Sequence, residues 1–161
     1  MYVCTELTPL ESIYYLNFYS WLAERGMKQK LSQSFIGFQK RIDMLVEFMM
    51  ITDDIEHQFK AMGKMKGNTL SFPDKMIPNT LIDIIFDDDM LIINRHGKTE
   101  MYQEFKLNHK LKGIYKNDMG LELEIYSDTL ELSVSEHEVA ILYDFYIEND
   151  KQSRNKLIIK Y

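Results

Sequence analysis

From Arg41 to Tyr161 the chain repeats apolar side chains at every second position and breaks the pattern only with short polar turns. A period of two belongs to strands with one face in a core and the other in water. "IDMLVEF" places Ile42, Met44, Val46 and Phe48 together, and "IEHQFKA" does the same with Ile55, His57, Phe59 and Ala61. "LELEIYSDTLELSV" aligns Leu121, Leu123 and Ile125, then Leu130, Leu132 and Val134. "VAILYDFYI" aligns Val139, Ile141, Tyr143, Phe145 and Ile147, and the closing "KLIIKY" aligns Leu157, Ile159 and Tyr161.

Turn signals separate these runs: "TDD" after Ile51, "GKMKGN" at 63–68, "PDKMIP" at 73–78, "DDD" at 87–89, "RHG" at 95–97, "NDMG" at 117–120, "SEHE" at 135–138 and "ENDKQSRN" at 148–155. Short connections make neighbouring strands antiparallel. A meander of about eight to ten strands leaves two exposed edges unless it closes on itself, and closure gives a barrel. No helix-alternating-with-strand pattern of a parallel sheet occurs. The fold expected is all-β, an antiparallel meander closed into a barrel over residues 41–161.

Residues 1–40 read differently, as a helical extension. In "TPLESIYYLNFYSWLAERG", Thr8 can cap a helix over about residues 9–25, with Pro9 in its first turn and Glu11 completing a capping box. Gly26 supplies the stop. This helix is aromatic enough to pack on the barrel or to dock a second copy or another protein. Met27, in "MKQK", can serve as a translation start, which would leave residues 1–26 outside the native chain.

The stretch from about Arg41 to Tyr161 resembles the YwiB-like family of small bacterial proteins. The resemblance rests on the opening strand pair ending at Gly63, on "TLIDIIFDDDMLIINRHGK", and on Phe105, Tyr115, Gly120, Tyr143 and the final "KLIIKY". It implies a calycin-type (lipocalin-like) β-barrel, and it brings no activity with it. Residues 1–40 and the "NTLSF" stretch depart from the family pattern.

The net charge of −6 argues against nucleic acid or an anionic membrane surface as partner. Cys4 is the single cysteine, which rules out an intramolecular disulfide and fits a reducing, cytoplasmic setting. The longest apolar stretch, residues 13–23, is too short to span a bilayer. His57, His96, His109 and His137 are scattered at no ligand spacing, so no metal is expected. "FDDDM" lacks the further oxygen ligands of a calcium loop and reads as a hairpin. No nucleophile elbow, phosphate loop or dinucleotide fingerprint is present, and Glu122 and Glu124 sit on the solvated side of one strand. No catalytic residue and no cofactor is expected.

What remains is the interior. The alternation points Tyr143, Phe145, Phe48, Phe59, Met101, Phe105 and Tyr115 into the barrel, as the candidate lining for a small apolar ligand. The same side chains can instead fill the lumen. Around "LIINRHGKTEM", a three-residue loop with Gly97 at positive φ pairs Asn94 with Lys98. It sets Leu91, Ile93, Met101 and Phe105 on one face. A two-residue loop at His96-Gly97 sends Asn94 inward instead. Both registers put Arg95 at the rim or outside.

Overall fold

A computed structural model describes residues 41–161. The helix expected over residues 9–25 lies outside them. Ten strands follow one another: β1 (Ile42–Thr52), β2 (Ile55–Lys66), β3 (Thr69–Pro73), β4 (Thr80–Asp87), β5 (Met90–Gly97), β6 (Glu100–Phe105), β7 (Lys110–Lys116), β8 (Glu122–Val134), β9 (Glu138–Ile147) and β10 (Asp150–Lys160). Each pairs antiparallel with its neighbours in sequence, and β10 returns to β1, closing the barrel.

Local chemistry explains the tight corners. Asp53 and Asp54 both take positive φ (45° and 72°), the backbone of a two-residue turn whose twist matches its strands. Asp88 and Asp89 join β4 to β5 as the expected hairpin, with Asp87 paired to Met90. Lys106–His109 links β6 to β7, with Asn108 at φ 61°. The sequence offers no turn signal there beyond that asparagine. Conversely, "ENDKQSRN" is mostly strand, because only Glu148 and Asn149 turn and β10 begins at Asp150.

The parity change within "LELEIYSDTLELSV" has a structural cause. The β8–β9 register shifts between Thr129 and Glu131, so the bulged strand gains one residue. Ile125, Ser127 and Thr129 are buried before the bulge, and Leu132 packs on the core after it. A second shift between Lys151 and Ser153 lets Asn155, Leu157 and Ile159 face inward on β10.

The ladders differ in length. β1 and β2 pair from Ile42–Met65 through Thr52–Ile55. The β2–β3 ladder holds only Lys64–Ser71, Met65–Leu70 and Lys66–Thr69, and β6–β7 holds only Glu100–Lys116, Met101–Tyr115 and Tyr102–Ile114. At the second of these, a Cβ on Gly113 would lie 2.2 Å from the Tyr102 carbonyl oxygen. The missing side chain lets β6 come close enough to β7 and β8 for the wall to close.

The lumen is a continuous apolar core. Val46, Phe48, Leu70, Phe72, Ile82, Ile84, Leu91, Phe105, Val139, Ile141 and Ile159 are all within 2% of full burial. Phe48 stacks on Phe59 with ring centroids 4.7 Å apart, and Phe72 leans on both. Removing this much apolar surface from water supplies the main driving force for closure.

Candidate functional site

The seven side chains expected to line a ligand pocket face inward, but they do not form one pocket. Phe48 and Phe59 stack on each other. Phe105 and Tyr143 meet edge to face at 4.9 Å, and Phe145 packs half-buried against the same core. Met101 and Tyr115 are cross-strand neighbours, both half-buried, near the β5–β6 turn. The first two groups occupy the middle of the lumen themselves.

The third group has a companion that the sequence reading misplaced. Arg95 is not outside: it points inward near the end of β5. β5 keeps pairing with β4 as far as Gly97–Thr80, so the alternation carries on from Leu91 and Ile93 and turns Arg95 inward. Arg95 pairs with Met101 and Asn94 with Tyr102, so the connection is His96–Glu100, longer than either loop expected. Leu91, Ile93, Met101 and Phe105 do share one face, and Gly97 does take positive φ, at 139°.

Arg95 faces Asp74, from the loop between β3 and β4. Their side chains are 14% and 0% exposed, and Arg95 Nε lies 3.5 Å from Asp74 Oδ2. That separation is too long for a hydrogen bond, and neither atom has a hydrogen-bond partner among the described residues. The other oxygen is well used: Asp74 Oδ1 accepts from the backbone N–H of Met76 (2.7 Å) and Ile77 (3.2 Å).

Further polar groups line the interior. Gln103, 3% exposed, donates from Nε2 to Ser127 Oγ at 2.9 Å. It reaches across from β6 to β8, past the bare backbone of Gly113. Thr129, fully buried, has no partner for Oγ1 among the described residues. Thr52 Oγ1 donates to Asn155 Oδ1 at 2.8 Å, and Asn155 Nδ2 donates to Ser153 Oγ at 3.0 Å. Burial pushes the Tyr143 phenol up to about 12, against the opposing pull of the Arg95 charge and the Gln103 side chain. The lumen is therefore apolar over most of its wall and polar around Arg95, Gln103 and Tyr143.

Alternation alone could have found part of this set. Gln103 stands between Met101 and Phe105, and Ser127 follows Ile125, so both occupy inward positions. Arg95 follows from Leu91 and Ile93 once the strand is allowed to run on. Asp74 carries no such signal, because it enters from a loop.

Outside, the wall carries paired charges. Asp144 receives Arg154 in a two-point contact, Nε to Oδ1 at 2.7 Å and Nη2 to Oδ2 at 3.0 Å, with Lys151 Nζ also 2.7 Å away. Hydrogen bonding from Arg154 holds the Asp144 carboxyl down to about 2. His96 Nε2 lies 2.9 Å from Asp83 Oδ2 on the surface. Open concavities mark the outer wall, two of them larger than 300 Å³. One, about 310 Å³, borders Arg95, Met101, Tyr102 and Ile114, and the other, about 470 Å³, lies over β1, β2 and β10. Among the described residues no helix is long and apolar enough to cross a membrane. No group of three or more His, Cys, Asp or Glu among them could hold a metal ion.

These features define a ten-stranded closed antiparallel barrel with an apolar middle and a buried, loosely paired polar group toward one end. The chain belongs to the family described as "Domain of unknown function (DUF1934)", whose model matches residues 49–159. That agrees with the YwiB-like resemblance of its strands and turns. A crystal structure of the ywiB protein from Bacillus subtilis is similar, with a TM-score of 0.50 at 17% identity, covering 80% of this chain and 96% of that one. At that identity the likeness speaks for the fold alone. No curated protein matches in sequence.

Proposed function

We propose that this barrel is a cytoplasmic binding protein, not an enzyme, and that it takes a small, largely apolar molecule into the Arg95 end of its lumen. One observation carries the reading: buried polar groups there fall short of the hydrogen bonds they could make. A sealed core satisfies its polar groups or omits them, since each unsatisfied one costs on the order of 1–3 kcal/mol. Here Arg95 Nε and Asp74 Oδ2 both stand without such a bond among the described residues, and so does Thr129 Oγ1 elsewhere in the lumen. The stacked Phe48–Phe59 pair and the edge-to-face Phe105–Tyr143 pair support a ligand confined to one end rather than spread through the lumen.

Native mass spectrometry of the full chain purified from its own host tests this. A small molecule that stays with the folded protein and leaves on denaturation is the expected result. A bare chain mass under gentle conditions, with Arg95→Met and Thr129→Val unchanged in ligand content, would refute it.

A further inference from the structure

We propose that Arg95 is a carboxylate-binding residue whose resident occupant is Asp74, and that a ligand bearing one carboxylate on an apolar body displaces it. This rests on the luminal reading above and names the chemistry of the ligand.

The first argument is the quality of the pair. A guanidinium offers five donors in a planar fork that suits two-point contact with a carboxylate. The Arg154–Asp144 pair realises that geometry on the outer wall at 2.7 and 3.0 Å. Arg95 has the same chemistry and far less water to compensate, since its side chain is 14% exposed against 54% for Arg154. Yet it makes a single 3.5 Å approach to one oxygen of Asp74. The better-placed arginine is exposed and the poorly placed one is buried. A largely covered cation left this loosely paired is stabilised further by a carboxylate that meets its fork squarely.

The second argument is where Asp74 comes from. Arg95 belongs to a strand paired on both sides. Asp74 belongs to the six-residue connection at 74–79 and is tied locally, through Oδ1, to Met76 and Ile77. The Asp74 carboxylate can turn away from Arg95 while its backbone N–H keeps the Thr80 carbonyl at 2.9 Å and the ladders around Arg95 stay intact.

The third argument concerns selectivity. Tyr143 lies close enough to Arg95 to feel its charge and offers a neutral hydroxyl, and Met101 and Tyr115 provide apolar surface on the adjoining strands. A singly charged planar group replaces Asp74 like for like. A dianionic phosphate would bring surplus negative charge beside a carboxylate that its own loop keeps nearby, which costs energy at low dielectric.

The experiment is isothermal calorimetry of the full chain with decanoate and with decanol, which share a tail and differ in the head. The wild-type protein should bind decanoate more tightly than decanol. Asp74→Asn retains an acceptor for Met76 and Ile77 but removes the competing charge. It should tighten decanoate by about tenfold or more and leave decanol unchanged. Arg95→Met should bring decanoate down to the level of decanol. Arg95→Lys, which keeps the charge but not the fork, should fall between the two, and it serves if the methionine variant does not fold. Equal binding of decanoate and decanol by the wild type overturns the carboxylate site and leaves the luminal reading standing. Decanoate binding that neither Asp74→Asn nor Arg95→Met alters has the same meaning. Heat from neither probe removes both readings.

Discussion

Gly97 offers the sharpest test of the barrel's internal logic, because two separate penalties converge on it. Its φ of 139° lies where side chains are rarely tolerated, and a Cβ built there would sit 2.1 Å from the Asn79 carbonyl oxygen and 2.9 Å from Thr80 Cα. Both neighbours are backbone, so no rotamer change relieves the overlap. Gly97→Ala must therefore strain its own backbone, at about 1–3 kcal/mol, or separate from the loop end at Asn79. Separation weakens the last β4–β5 pair, Gly97–Thr80, at about 1 kcal/mol for each hydrogen bond lost. The total expected is about 2–4 kcal/mol. Gly120 is the matched control: its φ is 83°, but nothing lies within 4 Å of the added methyl. Gly120→Ala should cost only the conformational part, about 1 kcal/mol. Urea unfolding followed by far-ultraviolet circular dichroism measures both. The difference between the variants isolates the steric component. Equal costs for the two substitutions would refute the close approach of the β5–β6 turn to Asn79.

Three further outcomes follow from the wall and the lumen. Asp144 has a folded pKa of about 2, below its ordinary 3.8, so its stabilisation is complete above about pH 4 and drains away as the pH falls toward 2. Asp144→Asn should cost about 1–2 kcal/mol at neutral pH, tempered by the half-exposed Arg154 and Lys151, and should flatten the acid limb of an unfolding titration. Thr129→Val removes a buried hydroxyl that has no partner among the described residues. The ligand-free protein should gain about 1 kcal/mol in thermal unfolding, and a loss instead would mean the hydroxyl is satisfied. His96→Ala should change stability by less than about 1 kcal/mol, since its pairing with Asp83 is exposed, and decanoate affinity should stay the same.

The barrel was legible wherever a strand has one wet face. Val46, Phe48, Val139 and Ile141 are buried where alternation put them, because a strand's period is fixed by its pleat. Alternation failed where backbone pairing overrode turn chemistry. Arg95 looks like the start of a turn beside Gly97, yet pairing across β4 keeps it in the strand and swings it inside. Lys106–His109 looks like strand, yet it turns, because Asn108 tolerates a left-handed backbone without announcing it. The polar interior was half legible. Gln103 and Ser127 sit at inward positions of their strands, but their hydrogen bond joins β6 to β8 across β7, a pairing no periodicity encodes. Asp74 depends on the path of a loop, which no periodicity encodes.

The two three-position ladders, β2–β3 and β6–β7, divide the barrel into unequal staves. One curved panel runs β3-β4-β5-β6, and the other runs from β7 through β10 to β1 and β2. Breathing that leaves each panel intact needs only the few bonds of a single hinge to part. Amide exchange at Met65, Leu70, Tyr102 and Ile114 should therefore outpace exchange along the long β1–β2 and β9–β10 ladders. Asp74, Arg95 and Gln103 ride on the first panel, and Ser127, Thr129 and Tyr143 on the second. The polar interior thus straddles the parting line, where a side-opening cylinder would first admit a guest.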